Sequence, residues 1–280
     1  MGHVKFQAIQ NSTLFRKIAF GSWSTVGDPS VYGAIEIDVT KAKAFIEDQN
    51  QKSYVKLTYT HLVGKAMANV LQEFPEINGM IRLGKIYRRE QVDIFFQVNI
   101  PGAGSETDKI KKANLAGAVV RNADKLSVLE LAQDLFERAE RLRQSTDEEY
   151  NKAVGLFKHL PWVLSRYLLN ITSYLNYDLN LNLSALGIPK DPFGSVMITN
   201  VGNLGIEKAW APLVPYSRVP LLLTLGSIQD RAWVVENKIE IRPILHIGVT
   251  FDHRFMDGVH ASAMAKKFKE YFLNTELFMN

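Results

Sequence analysis

The run from Arg231 to Phe251 restricts this chain more than any other stretch. Apolar and polar residues alternate along Arg231 to Glu236 and again along Ile239 to Phe251, with Asn237-Lys238 between them. That pattern predicts a β-hairpin with a long second strand. Directly afterwards, Val259 to Phe272 carries its apolar residues at helical spacing, so strand must give way to helix within Asp252-His253-Arg254-Phe255-Met256-Asp257-Gly258. Such a junction exposes a side chain at the sheet edge on rigid backbone. Neutral imidazole accepts protons efficiently near neutral pH, which makes His253 a candidate general base. Read alone, a lone histidine is more often a hydrogen-bonded structural residue. Gly258 is expected to let the chain turn sharply.

The rest of the chain alternates strand and helix patterns. Val31 to Val39 has period two, and a helix is expected from Thr40. Leu57, Leu62, Val63, Ala66, Met67, Val70, Leu71 and Phe74 form an apolar stripe that Pro75 terminates, with His61 packed inside it or at its surface. Met80 to Tyr87 and Gln91 to Pro101 read as paired strands, with turns at Gly84-Lys85 and Arg88 to Glu90. Ser127 and Glu130 have the spacing of a reciprocal helix cap. His246, His253 and His260 recur every seven residues, but strand, strand end and helix share no face, so no metal site is expected.

Composition excludes several classes. The chain has no cysteine, which removes disulfides, thiolate catalysis and cysteine-ligated metals. Its net charge of +4 comes from 33 basic and 29 acidic residues without a basic, aromatic-rich stripe, so nucleic acid is not an expected partner. There is no apolar signal core, and Phe6 stands where a myristoylation signal needs Ser or Thr. A soluble, cytoplasmic protein is the expectation.

The string Asp252-His253-Arg254-Phe255-Met256-Asp257-Gly258 resembles the Asp-His-Arg-x-x-Asp-Gly signature of the catalytic domain of dihydrolipoamide acyltransferases. These are the core subunits of 2-oxo acid dehydrogenase complexes, within the chloramphenicol acetyltransferase-like superfamily. Further family-like segments follow in order: Phe15 to Ala19, Val31 to Thr40, Phe74 to Gly79, Val92-Asp93-Ile94, Val119 to Ser127 and Met197 to Gly205. The resemblance implies an α/β fold, a two-layer sandwich with a mixed sheet, over one catalytic domain spanning residues 1–280. It implies acyl transfer between coenzyme A and a thiol, hydroxyl or amine acceptor, dihydrolipoyl among them. His253 would be the base, and Thr199 would stabilise the oxyanion, with Ser195 and Asn200 as nearby competitors. Asp257 would anchor the loop through an ion pair with Arg16, the candidate partner. It further implies a homotrimer with the site between subunits, His253 of one chain facing Thr199 of the next. A non-catalytic scaffold of the same fold, or a membrane-interface binding protein, is the alternative.

Two stretches depart from that family. Pro101 to Leu115, with Lys109, Lys111 and Lys112, is a longer loop, either solvated or meeting coenzyme A phosphates. Asp147 to Pro192 is denser in apolar and aromatic residues than a one-faced surface helix requires. It reads as a helical pair packed on the body or at a subunit contact, as a lid over a channel, or as a membrane-surface segment, divided by Pro161. No lipoyl domain or Pro/Gly/Ser linker is recognisable, so a lipoyl substrate is expected on another chain.

Overall fold

The computed structural model describes residues 5–8, 28–100, 114–148, 150–152, 155 and 162–279. In chain order its elements are β1 (Phe6–Ala8), β2 (Ser30–Asp38), α1 (Thr40–Lys52), α2 (Tyr59–Glu73), β3 (Gly79–Arg82), β4 (Lys85–Arg89), β5 (Ile94–Ile100) and β6 (Asn114–Val120). There follow α3 (Val128–Arg143), α4 (Trp162–Ser173), β7 (Val196–Asn200), β8 (Leu221–Leu225), β9 (Gln229–Val235), β10 (Lys238–Asp252) and α5 (Gly258–Leu273).

The main sheet runs β2-β10-β8-β7-β5-β6, with β9 paired to β10. β5, β7 and β8 are parallel neighbours and every other pair is antiparallel, so the sheet is mixed. Alternation along each strand sorts its side chains between two faces. Val196, Ile198, Leu221, Leu223, Leu225, Leu245, Ile247 and Phe251 join one core with the buried residues of α2, α3 and α5. α2 is buried from Leu62 through Leu71, as a helix between sheet and neighbouring helices must be. The other face carries a smaller cluster, Phe95, Met197, Val219 and Leu222, packed against Phe193, Leu213 and Val214. A connecting segment lies hard on this second face. A Cβ on Gly248 would stand 2.1 Å from the Ala209 carbonyl, so only glycine fits there, and the Thr250 hydroxyl donates to Ala211 O at 2.8 Å.

Two sequence expectations need correction. Met80 to Tyr87 does not pair with Gln91 to Pro101. Instead β3 and β4 pair with each other in a separate sheet ordered β1-β4-β3, and β5 joins the main sheet. Leu83 and Gly84 make the turn, both at positive φ. The long hairpin turns at Glu236 and Asn237, one residue earlier than Asn237-Lys238. Both have positive φ, as a two-residue turn matched to strand twist demands.

The segment after α4 is tied to the body rather than loosely laid on it. α4 ends in a π-helical turn, Tyr174–Asp178, in which Tyr177 is fully buried. Asp178 pairs with Arg218 at 2.7 Å and accepts the Leu83 N–H, and Ser173 Oγ donates to Tyr216 O. Among the described residues no helix is long and apolar enough to cross a membrane.

Candidate active site

β10 delivers His253 to a turn whose backbone is held from several sides. The Asp252 N–H donates to Pro220 O and the His253 N–H to Pro29 O, both at 2.9 Å. The Asp252 carboxylate accepts from the Arg254 backbone N–H and from its guanidinium, Nη2 at 2.7 Å. Phe255 and Met256 return N–H bonds to Asp252 O while their side chains are buried in the core. A histidine on this frame has little freedom to move. Its ring lies 6.4 Å from that of Phe251, and its Nδ1 is shielded from solvent.

Asp257 caps α5. Its carboxylate accepts the N–H groups of Val259 and His260 at 3.0 and 3.2 Å and meets His260 Nδ1 at 2.6 Å. Burial alone would raise its pKa, but the bonds from His260 and Val259 hold it below the ordinary carboxylate value. Its described partners are therefore its own helix and His260. Arg16, expected to pair with it, lies outside the described residues, as do Lys109, Lys111 and Lys112. The sharp-turn role expected of Gly258 is corrected. Gly258 is the first residue of α5, its φ is not in the left-handed region, and a Cβ would meet nothing within 4 Å.

Thr199 sits near the end of β7, opposite Thr224 of β8. It follows Met197 on the second sheet face and is partly buried. Its competitors are engaged elsewhere. Ser195 is fully buried and its Oγ accepts the Asp93 N–H, while Asn200 Nδ2 donates to Thr60 Oγ1. Thr199 Oγ1 takes part in no hydrogen bond among the described residues. Within one chain Thr199 and His253 cannot meet. Thr224 also aligns with Gly248, five residues before His253, and two strand spacings separate β7 from β10. The separation is about 17 Å along the strands and about 10 Å across them.

The other histidines have separate roles. His246 is buried on the second face, its ring 5.1 Å from Trp210, and burial lowers its pKa. Among the described residues no three His, Asp or Glu side chains are grouped to hold a metal ion. Beside the His253 turn, bordered by Asp252, Arg254 and Phe255, opens a cleft of roughly 810 Å³ that reaches α4. Its wall was not foreseeable from sequence, because it joins residues from five distant stretches.

Residues 21–151 and 192–280 match the family model of the 2-oxoacid dehydrogenases acyltransferase catalytic domain. The chain belongs to this family. Among its relatives is the dihydrolipoyllysine-residue acetyltransferase component of the Acholeplasma laidlawii pyruvate dehydrogenase complex, 24% identical over 227 residues, covering 80% of this chain and 32% of the relative. The chain spans between about a third and a half of the length of the curated relatives it matches. Among solved structures, the cubic core of a pyruvate dehydrogenase multienzyme complex has a TM-score of 0.63 at 22% identity. Azotobacter vinelandii dihydrolipoamide acetyltransferase has 0.64 at the same identity, and each alignment covers 97% of this chain and 94% of the other. The Azotobacter structure was studied for the catalytic role of a serine, a histidine and an asparagine four residues after the histidine. A chloramphenicol acetyltransferase shares the fold at a TM-score of 0.52, with 15% identity over 99% of this chain and all of the other. The two-layer, mixed-sheet architecture is thus chloramphenicol acetyltransferase-like. Residues 152–191, including α4, fall between the two matched segments.

Proposed function

We propose that this chain transfers an acyl group between coenzyme A and a thiol, hydroxyl or amine acceptor, dihydrolipoyl among them, with His253 as general base. The observation that carries the reading is the fixed turn at the end of β10, which presents His253 four residues before a helix-capping aspartate in a chain of the acyltransferase family. The acceptor's proton passes to the imidazole as its heavy atom attacks the thioester carbonyl. The carbon–sulfur bond then breaks, and the coenzyme A thiolate takes the proton back. General-base help of this kind is worth about 10²- to 10⁴-fold.

Thr199 would donate to the oxyanion, a contribution on the order of 10²- to 10³-fold for a single donor. Because Thr199 and His253 of one chain stand far apart, the reading requires the Thr199 of a neighbouring copy, and a homotrimer is the assembly proposed. The relative described as a cubic core supports an assembled state. Asp257 is a positioning residue that sets the start of α5 directly after the turn.

The test is acyl transfer from acetyl- and longer acyl-coenzyme A to dihydrolipoamide and to amine and alcohol acceptors, in wild type and His253→Ala. Turnover that falls at least 10²-fold in the variant supports the reading; equal turnover in both removes His253 from the mechanism.

A further inference from the structure

Strand β8 reads Leu-Leu-Leu-Thr-Leu and is buried from end to end. Thr224, its single polar side chain, is 1% exposed, and its Oγ1 is shielded from solvent without a hydrogen-bond partner among the described residues. A buried hydroxyl left unpaired costs free energy that a valine of the same shape would not. The oxygen is already covered within its own chain, so a neighbouring copy docked on the surface does not reach it. Packing alone would favour another aliphatic residue here.

Its neighbours on the sheet differ in what they offer. Thr224 lies on the second face, as Leu222 does two residues earlier. On β10 it aligns with Gly248, which has no side chain, and the Ala209 carbonyl closes over that glycine. On β7 it aligns with Thr199, which follows Met197 on the same face. The two threonines therefore stand side by side, one strand spacing of about 4.8 Å apart. Neither hydroxyl takes part in a hydrogen bond among the described residues. Rotation about χ1 between staggered wells brings the two oxygens within hydrogen-bond distance, about 2.8 Å.

We infer that Thr224 is a positioning residue for acyl transfer: its hydroxyl donates to Thr199 Oγ1 and so turns the Thr199 proton toward the oxyanion. The inference rests on the acyltransferase reading with Thr199 as oxyanion donor, and adds the group that aims it. A hydroxyl is both donor and acceptor and rotates to suit its partners, so a donor on its oxygen leaves its own proton free for a second bond. Linked hydrogen bonds strengthen one another, and the pair gains most when negative charge develops on the thioester oxygen. A benefit confined to the transition state belongs to kcat and not to KM. Thr224 acts through Thr199 because Thr224 is buried and Thr199 is partly exposed.

The test measures kcat and KM for acetyl transfer from acetyl-coenzyme A to whichever of dihydrolipoamide, an amine or an alcohol the wild type turns over fastest. Thr224→Val, Thr224→Ser, Thr199→Ala, His253→Ala and the Thr199→Ala/Thr224→Val double variant are compared with wild type, with urea midpoints for each. Loss of one neutral hydrogen bond corresponds to about tenfold in rate. Thr224→Val is expected to lower kcat about tenfold, change KM less than twofold, and unfold at or above the wild-type urea midpoint. Thr224→Ser is expected to keep at least half the wild-type kcat. In the Thr199→Ala background, adding Thr224→Val should lower kcat less than twofold, since the group it aims is gone. A Thr224→Val kcat within twofold of wild type overturns the inference, as does a serine variant as slow as the valine one. A tenfold loss that recurs in the Thr199→Ala background also overturns it, and so does a valine variant that unfolds well below wild type, which would assign the hydroxyl to the fold. Wild-type kcat in Thr199→Ala removes the oxyanion donor and this inference with it, leaving His253 in place. Absence of His253-dependent turnover overturns the acyltransferase reading itself.

Discussion

Asp257 is bonded three ways, to two backbone N–H groups of α5 and to the His260 ring. Asparagine caps a helix about as well as aspartate, and alanine does not cap. Asp257→Asn is therefore expected to stay within about 0.5 kcal/mol of wild type, while Asp257→Ala loses about 1 kcal/mol, both read by urea denaturation. Gly258 begins α5 with open space around it, so Gly258→Ala should be neutral or stabilise by up to about 1 kcal/mol in the same assay. Marked destabilisation would mean that position 258 needs a backbone conformation open only to glycine. The His253-to-Gly258 string was legible in sequence because its residues are contiguous. The locks around it were not, because Pro29 and Pro220 reach the turn only through sheet pairing.

Elements recovered from sequence are those whose signal is local. The Ser127–Glu130 capping box forms as read, and α1 and α5 start within a residue of their expected positions. The turn of the β9–β10 hairpin slipped by one residue, since alternation fixes strands better than turns. His61, by sequence a packed or surface residue, has a more specific role in the structure. It occupies the third position of α2, where its Nδ1 accepts the Thr58 N–H at 3.1 Å. That bond requires a neutral ring, and burial lowers its pKa to about 4. The unfolded chain therefore binds this proton more readily than the folded one between about pH 6.5 and 4. Stability from this group is complete above about pH 6.5 and is lost as pH falls toward 4, on the order of 2 kcal/mol because the ring is partly exposed. Urea midpoints between pH 7 and 4 should fall less steeply in His61→Gln than in wild type; parallel curves would contradict the assignment.

Across the whole molecule, ion pairs between distant stretches join the parts that local patterns define. Arg89 of β4 and Asp191 meet at 2.6 Å with both side chains almost fully buried, and Arg121 pairs with Asp93 while donating to the Lys190 and Asp191 carbonyls. These contacts fasten the small sheet and the end of the inserted segment to the main sheet. No period in the sequence predicts a partner 102 residues away. Asp191→Ala would leave a buried guanidinium unpaired and should cost about 3–5 kcal/mol by denaturant unfolding. On the same scale, the β7-β8-β10 register separates Thr199 from His253 within one chain, so the proposed site is completed only by a second copy. The most direct measurement is complementation, in which His253→Ala and Thr199→Ala chains, each impaired alone, are refolded together and assayed for acyl transfer. Random assembly predicts that about a quarter of the sites regain both residues and that activity returns to about that fraction of wild type. Activity that stays at the sum of the separate variants would contradict a site shared between subunits.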